Sequence, residues 1–322
     1  MFKFSHGKHS IIGSFALAAA LVLSASAAAK AEYPDDTIRI IVPWRAGGGT
    51  DSIARALAGP MEDVAGQPVL VENITGGAGN AGMLAVKDAV ADGYTMLLNG
   101  SSDINAPIAF RDVPFSLDDY VCVGGVYDTP TWIISNSDKG YGDFADFVEA
   151  AQAAPGELSL GVTALASPDH VLAELLVEKY EIDVRIIPFN GGAPLKKAIL
   201  ANQVDAGVLI APVMLSEVQE GLARVLVAGG SLGQISDSSL HNVATLQDHG
   251  VDATIGMVRG VFLPSNTPEE VRQKAIEIVG SAAASEAFAK FGTTFGFAPV
   301  WIPGDAFCDF MKTEGEIYSS MK

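Results

Sequence analysis

The stretch that decides the fold is "VPWRAGGGTDSIARAL", which runs from Val42 to Leu57. A strand-like apolar run ends at Pro43, three glycines follow, and a helical pattern then begins. The first N–H groups of a helix have no partner within the helix, and they lie at the positive end of its dipole. Glycine has no Cβ to keep a ligand away from those N–H groups. The stretch therefore predicts a strand-to-helix corner that binds a negatively charged group.

A second glycine loop repeats this layout. The strand-like run "VLVEN" is followed by "ITGGAGN", which ends at Asn80. If both strands belong to one parallel sheet, their loops open on the same crevice at the carboxyl edge of that sheet. Two such loops suit a ligand with more than one carboxylate. For either loop taken alone, ordinary turn glycines are an equal alternative.

Apolar runs alternate with amphipathic segments along the chain, which predicts an α/β fold with parallel sheets covered by helices on both faces. The segment "DTPTW", Asp128 to Trp132, joins two strand-like runs at Tyr120–Val126 and Thr131–Ser135. The segment "AGGSLG", Ala228 to Gly233, follows another such run. We expect the chain to cross between two lobes at the first segment and to return at the second. The predicted division is residues 32–129 plus 229–322 for lobe 1 and residues 130–228 for lobe 2, with a ligand cleft between them.

The first 31 residues have the features of a signal peptide. A basic segment precedes the apolar run Ile11–Leu23, and small residues follow it. Ala29-Lys30-Ala31 is the preferred cleavage site, and Ala25-Ser26-Ala27 is the second choice. An uncleaved membrane anchor is the alternative, but the run is short and rich in alanine. The mature protein is therefore predicted to be exported, to the periplasm if the host is Gram-negative.

The charge of the mature chain excludes two classes of partner. The full chain has 20 basic and 38 acidic residues, and removal of Lys3, Lys8 and Lys30 leaves 17 basic residues and a formal charge of −21. Nucleic acids and anionic lipids bind to clustered Lys and Arg, and the sequence has no basic cluster. An anionic ligand must then be bound by nearby hydrogen-bond donors, because the net negative charge of the protein repels it.

The two cysteines, Cys122 and Cys308, lie far apart in the sequence. An oxidising compartment permits a disulfide, but the spacing does not show whether the two residues meet. Two separate buried thiols are the favoured interpretation at this point. Because the sequence has no CxxC pair and no His/Cys cluster, it predicts no metal site.

Three motifs could point to an enzyme, but each has a simpler interpretation. Gly77–Gly82 matches the dinucleotide pattern G-x-G-x-x-G, yet it follows the second strand, and dinucleotides are scarce outside the cytoplasm. Gly229–Gly233 matches G-x-S-x-G, yet Asp237 and His241 lie too close to it for a hydrolase triad. Ser167–His170 has the spacing of a helix start.

Few catalytic side chains are left after these motifs have been considered, and this favours binding over turnover. The alternative is a secreted α/β hydrolase that uses Ser231 or Ser167 as its nucleophile.

From about Tyr33 to the C-terminus, the chain resembles the receptors of tripartite tricarboxylate transporters, known as the TctC or Bug family. The resemblance rests on an ordered set of motifs: "YPDDTIRIIVPWRAGGGTD", "GQPVLVENITGGAGNAG", "DGYTMLL", "PFNGGAPL", "NQVDAGV", "MVRGVFLP" and "SNTPEEV". It implies a two-lobed periplasmic binding protein of type II, a Venus flytrap that holds a small di- or tricarboxylate or aromatic carboxylate between its lobes. It also implies a monomer that delivers this ligand to the membrane subunits of a transporter, with no cofactor and no catalysis.

The resemblance also implies ligand-binding positions, motif by motif. In the first loop they are Trp44, Gly48, Gly49, Thr50 and Asp51, and in the second loop Gly77, Ala78, Gly79 and Asn80. Ser101 and Ser102 follow the third strand, and Thr163, Ser167 and His170 are the polar candidates in the second lobe.

Several positions bear on ligand specificity. Ala164 and Ala166 stand where the family pattern has glycines. Leu209 stands where many members have an Asp, which favours a ligand with a hydrocarbon or aromatic middle over an amino acid. Arg259 resembles an arginine of the citrate-type branch and could pair with a carboxylate through two hydrogen bonds. A hinge or surface ion pair is the alternative role for Arg259.

Overall fold

The computed structural model describes residues 1–2, 33–165, 167–229, 240, 242–251, 256–295 and 299–320. Nearly all of the predicted signal peptide, the return segment beyond Gly229 with Ser231, and Ala166 lie outside the described residues. Within the described ranges, no helix combines the length and the apolar composition that a membrane crossing needs.

Strands and helices alternate along most of the described chain, as predicted. The strands are β1 (Ile38–Val42), β2 (Val69–Asn73), β3 (Thr95–Gly100), β4 (Tyr120–Asn136), β5 (Ser159–Val162), β6 (Arg185–Pro188), β7 (Ala206–Ile210), β8 (Ala223–Gly229), β9 (Gly256–Pro264) and β10 (Pro299–Pro303). The α-helices are α1 (Gly49–Ala65), α2 (Asn80–Lys87), α3 (Ser101–Phe110), α4 (Phe144–Ala153), α5 (Pro168–Tyr180), α6 (Gly192–Leu200), α7 (Leu215–Gln219), α8 (Glu269–Ala283), α9 (Glu286–Phe295) and α10 (Gly304–Ser320).

The strands form a continuous mixed sheet in the order β2-β1-β3-β9-β4-β7-β5-β6, with β8 and β10 also paired to β4. β1 is parallel to β2 and β3, and β5 is parallel to β6 and β7, as predicted. The central strands β4 and β9 run antiparallel to their neighbours, so the prediction of parallel sheets is wrong there. The apolar runs in the sequence indicate burial on both faces, and a central antiparallel strand is buried in the same way.

β4 belongs to both halves of the sheet. The sequence predicted two strands joined by the segment Asp128–Trp132, whereas the structure has one strand of 17 residues. Up to Pro130 this strand pairs with β9, and from Thr131 onward it pairs with β7 and β8. Proline has no N–H to donate to a neighbouring strand, so it fits where one partner ends and another begins. β4 thus carries the chain from the half that contains β1–β3 to the half that contains β5–β7.

Each half of the sheet has an apolar core. Ile40 and Leu98 are fully buried in the first half, and Phe147 and Leu172 are fully buried in the second. Burial of a side chain of this size contributes about 2 kcal/mol to the free energy of unfolding. The first core continues along β4 to the buried ring of Trp132, so the two halves pack against each other at the shared strand.

A disulfide joins Cys122 in β4 to Cys308 in α10, with the two Cα atoms 5.6 Å apart. The interpretation of the cysteines as two separate thiols is therefore wrong. The pairing could not be read from the sequence because 186 positions separate the two residues, and β4 and α10 meet only in the folded sheet. Beyond the disulfide, α10 packs against α3, where it reaches the candidate site.

Candidate ligand cleft

Both glycine loops lie at the same edge of the sheet, which confirms the predicted arrangement. β1 pairs in parallel with β2 and β3, and Val42 lies opposite Asn73 where the first pair ends. α1 begins at Gly49, α2 at Asn80 and α3 at Ser101, each after one of these strands or its loop. The N-termini of three helices therefore lie at one edge, where the positive ends of their dipoles favour an anion.

Asp51 fixes the shape of the first loop. This residue is 2% exposed, and its carboxylate accepts hydrogen bonds from Gly47 N–H at 2.8 Å, Asn73 Nδ2 at 2.9 Å and Arg55 Nε at 3.0 Å. Burial alone would raise the pKa of Asp51, but the hydrogen bonds from Arg55, Gly47 and Asn73 hold it below its usual value. No side chain caps α1 at its N-cap residue, Gly48. The first N–H groups of α1 are therefore open to a bound group.

The second loop is built from consecutive residues with positive φ. The φ angles are 142° at Gly76, 56° at Gly77, 54° at Ala78 and 97° at Gly79. Gly79 N–H donates to the carbonyl of Gly76 at 3.1 Å, which closes a tight turn. Ala78 is the exception among these residues, because a residue with a Cβ seldom adopts positive φ. Backbone strain of this kind concentrates at functional sites, so Ala78 is a candidate for direct contact with a ligand.

Trp44 connects the two loops. Its ring carbons lie 3.4 Å from the position that a Cβ on Gly79 would take, so the ring packs on the backbone of the second loop. Its Nε1 donates a hydrogen bond to Oδ1 of Asn99 in β3 at 2.7 Å. The indole, which follows β1, is therefore held by Asn99 in β3 and by the loop that follows β2.

Two cavities lie beside the loops, and each is lined by residues from both halves of the sheet. We call the first cavity, of 260 Å³, the Trp44 pocket; it is lined by Trp44, Ala78, Ser102, Asp103, Ala106, Pro107, Arg111, Ala164, Leu165, Ser167 and Pro168. We call the second, of 220 Å³, the Arg259 pocket; it is lined by Gly49, Ile53, Thr129, Ile210, Pro212, Val213 and Arg259. The structure thus brings predicted residues from both loops and from the second half of the sheet to one region.

The polar candidates beyond β4 already have partners within the protein. Thr163 Oγ1 donates a hydrogen bond to Asp169. Ser167 caps α5 by accepting the N–H of His170 at 3.2 Å, and its hydroxyl donates to a backbone carbonyl. The ring of His170 lies 3.6 Å from Glu174. Ser167 and His170 therefore stabilise the start of a helix and do not form the nucleophile–base pair of a hydrolase.

In the described part of the chain, three buried carboxyl groups near the cleft were not among the predicted site residues: Asp103, Asp169 and Glu314. Glu314 of α10 accepts a hydrogen bond from Ser101 Oγ at 2.9 Å, although 213 positions separate them. Burial raises the pKa of Glu314 to about 8, that of Asp169 to about 7 and that of Asp103 to about 6. The charge of Asp103 raises the pKa of the other two further, while Arg259 lowers that of Asp103. No three His, Cys, Asp or Glu side chains in the described residues are placed to hold a metal ion.

We expect Glu314→Gln to stabilise the protein at pH 9 and to have little effect at pH 5. The pKa of Glu314 is raised from 4.5 to about 8. Between these two values the folded protein keeps a proton that the unfolded chain has lost. The free energy of unfolding of the wild-type protein therefore falls as the pH rises from 4.5 to about 8. The stability gained by the variant should grow by up to about 1.4 kcal/mol per pH unit. Gln can still bond to Ser101 and to Asn105, the two side chains that now donate to Glu314.

Denaturant unfolding at pH 5, 7 and 9 measures this effect. Glu316→Gln is the matched control, because Glu316 is exposed on the same helix. A stability difference for Glu314→Gln that does not change with pH would contradict the assigned protonation.

Comparison with known sequences identifies relatives over most of the chain. The family profile described as "Tripartite tricarboxylate transporter family receptor" (TctC) matches residues 53–316. The protein BugT of Bordetella pertussis is 32% identical over 297 residues, which cover 88% of this chain and 88% of BugT.

Solved structures share the fold. A TctC solute-binding protein from Polaromonas, solved without ligand, has a TM-score of 0.82 at 23% identity and covers 90% of this chain and 98% of its own. MatC from Rhodopseudomonas palustris, solved with bound malate, has a TM-score of 0.69 at 22% identity, with coverage of 89% and 99%. These likenesses confirm the predicted α/β, two-lobed fold of a type II periplasmic binding protein.

Proposed function

This chain belongs to the tripartite tricarboxylate transporter receptor family, and from that premise we propose that it captures a small carboxylate and delivers it to the membrane subunits of a tripartite transporter. The proposed ligands are di- or tricarboxylates and aromatic carboxylates. Members of this family are periplasmic solute-binding receptors and not enzymes. We therefore do not propose the alternative function, a hydrolase that uses Ser231 or Ser167 as its nucleophile.

The observation that carries this proposal is the contact between the two glycine loops through Trp44, beside the two pockets. A carboxylate placed there would meet the N–H groups at the start of α1 and those of Gly77 and Ala78, whereas the N–H groups of Gly79, Asn80 and Ala81 already donate within the second loop. MatC, which has the same fold, was solved with malate, and a dicarboxylate of that size suits cavities of 220 and 260 Å³.

The residues of the site fall into two proposed roles. Residues that line the pockets or form the open loop backbone would touch the ligand: Trp44, Gly48, Gly49, Thr50, Gly77, Ala78, Gly79, Ser102 and Arg259. Residues whose polar side chains bond within the protein, together with Asn80 at the start of α2, would hold these in place: Asp51, Asn80, Ser101, Thr163, Ser167 and His170, of which Ser167 also lines the Trp44 pocket.

Ligand capture is proposed to close the two lobes by hinge bending. Lobe 1 would comprise residues 32–129 plus 229–322, and lobe 2 residues 130–228. The changeover of strand partners within β4, between Pro130 and Thr131, supports a hinge at Asp128–Thr131. The second crossing is proposed at Ala228–Ser231, of which Ala228 and Gly229 are described. Closure would exclude water and strengthen the hydrogen bonds to the carboxylate.

The proposed site of action is the periplasm, after cleavage of a signal peptide at residues 1–31. The disulfide between Cys122 and Cys308 supports this location, because disulfides persist in oxidising compartments. We propose that the receptor acts as a monomer, since one chain supplies both glycine loops and both pockets.

A thermal-shift screen of the exported protein against a carboxylate panel tests the proposal. A ligand at about 100 times its Kd adds about 2.7 kcal/mol to the free energy of unfolding, which is about 5 °C in Tm for a chain of this size. The matched controls are the methyl ester and the amide of each acid that binds, since neither can present a carboxylate to the loops. If the esters shift Tm as much as the acids, or if no member of the panel binds, the proposed function is wrong.

A further inference from the structure

Arg259 is a buried cation whose hydrogen-bonding capacity is only partly used. It is 6% exposed, its Nη1 donates to Thr129 Oγ1 at 2.7 Å, and its Nε has no hydrogen-bond partner in the described structure. A buried guanidinium with a free N–H is costly, because that N–H has lost its bond to water. An unpaired buried N–H of this kind calls for an explanation, and a bound anion is one.

The guanidinium also lies beside the start of a helix. Its Nη2 is 3.9 Å from the position that a Cβ on Gly49 would take, and Gly49 is the first residue of the 17-residue helix α1. The positive end of the helix dipole and the charge of Arg259 therefore occupy the same corner of the pocket. Asp103 raises the pKa of Arg259 as a nearby charge, against the lowering effect of burial, but is not its hydrogen-bond partner in the described chain. Two positive groups that converge on one cavity define a position for an anion.

The remaining walls of the Arg259 pocket are apolar. Ile53 comes from α1, whereas Ile210, Pro212 and Val213 come from the other half of the sheet. Thr129 is the other polar residue of the lining, and its Oγ1 already accepts the bond from Arg259. A ligand hydroxyl that faces the side chains of Ile53, Ile210 or Val213 would find no hydrogen-bond partner on them, which is unfavourable. Methylene carbons in the same place would contact these side chains and leave water.

We infer that the Arg259 pocket binds one carboxylate of an α,ω-dicarboxylate through Arg259 and the first turn of α1, and that its apolar wall selects unsubstituted methylene carbons next to that group. The inference rests on the proposed function, and it leaves the second glycine loop, beside Trp44, to bind the other end of the ligand. Arg259 is then the residue that distinguishes a dicarboxylate from a monocarboxylate. Ile210 and Val213 distinguish a plain chain from a hydroxylated one.

Calorimetric titration of two ligand pairs tests both parts. The pairs are adipate with hexanoate, which differ in the second carboxylate, and succinate with tartrate, which has a hydroxyl next to each of its two carboxylates. The wild-type protein should bind the preferred dicarboxylate at least thirtyfold more tightly than the monocarboxylate of equal length, and succinate at least tenfold more tightly than tartrate. Arg259→Met should weaken dicarboxylate binding by thirtyfold or more and change monocarboxylate binding by less than threefold.

Two further variants separate this inference from general effects. Arg45→Met removes an exposed arginine from the first loop, and it should leave the ratio between dicarboxylate and monocarboxylate unchanged. Ile210→Thr adds a hydroxyl to the apolar wall without touching Arg259, and it should shift the ratio between succinate and tartrate at least fivefold toward tartrate. This variant tests the pocket even if Arg259→Met fails to fold.

Three results would overturn the inference. One is equal loss of monocarboxylate and dicarboxylate binding in Arg259→Met, and another is a wild-type preference for the hydroxylated acid. The third is an unchanged ratio in Ile210→Thr. In each of these cases the protein still binds carboxylates, so the proposed function stands. If the wild-type protein binds no carboxylate, the proposed function itself fails.

Discussion

Replacement of Gly49 by Asp is expected to abolish carboxylate binding and to raise Tm at the same time. A Cβ at this position meets only Nη2 of Arg259, at 3.9 Å, so the side chain has room. The new carboxylate would lie in the first turn of α1 and beside a buried guanidinium, the position proposed for the ligand. An acidic residue at a helix N-terminus contributes up to about 1–2 kcal/mol when partly buried. Affinity for every carboxylate that binds the wild-type protein should fall at least a hundredfold.

Gly49→Asn and Gly49→Ala are the matched controls, because they add the same atoms or fewer without the charge. Both should retain binding within about tenfold of wild type, and neither should gain as much stability as Gly49→Asp. Titration calorimetry gives the affinities, and differential scanning calorimetry gives Tm. If Gly49→Asp binds ligand as the wild-type protein does, the start of α1 is not part of the binding site.

The two glycine loops could be predicted from the sequence because their features are local. A strand-like run, a group of glycines and a helical pattern lie within about twenty residues in "VPWRAGGGTDSIARAL" and its flanks. The positive φ angles at Gly77 and Gly79 are of the kind that glycine allows. Ala78 was also placed in the loop, but its strained backbone could not be foreseen, since alanine carries no signal for positive φ.

The pairing of the strands could not be predicted in the same way. Hydrophobic patterns report how deeply a strand is buried, and they do not report which strand lies beside it or in which direction it runs. The sequence therefore predicted a strand at Arg259–Leu263 but missed the antiparallel direction and central place of β9, and it divided β4 between Val126 and Thr131. Pro130 is tolerated in β4 because the strand changes partners at that residue, and this depends on contacts far away in the sequence.

Polar residues of the site were the hardest to interpret from the sequence. Thr163 and Ser167 were predicted to meet the ligand, and this stays a prediction: their hydroxyls bond to Asp169 and to the start of α5, while Ser167 also lines the Trp44 pocket. Glu314 was not considered, because its contact with Ser101 spans 213 positions and only the packing of α10 on α3 creates it. A hydroxyl near a glycine loop has the same appearance in the sequence whether it binds a ligand or supports the backbone.

Removal of the disulfide is expected to have the largest effect on stability. The double variant Cys122→Ala/Cys308→Ala lacks the cross-link between two residues that are 186 positions apart. Its unfolded chain therefore has a higher conformational entropy, which favours unfolding. Loop-closure entropy for a loop of this length amounts to about 5 kcal/mol, and measured losses of native disulfides are about 2–5 kcal/mol. The disulfide joins the central strand β4 to α10, the helix that carries Glu314 to the cleft. We therefore expect the free energy of unfolding to fall by about 4 kcal/mol and Tm by about 7 °C.

The wild-type protein in the presence of dithiothreitol should reproduce this loss, because reduction removes the same cross-link. The double variant should not respond to the reductant, which separates reduction of the disulfide from other effects of the reagent. Ligand should raise Tm by a similar amount in both proteins, since the pockets are lined by residues that the disulfide does not touch. Equal stability of the reduced and oxidised proteins would mean that Cys122 and Cys308 are not joined in the folded chain. It would also remove the support that the disulfide gives to a periplasmic location.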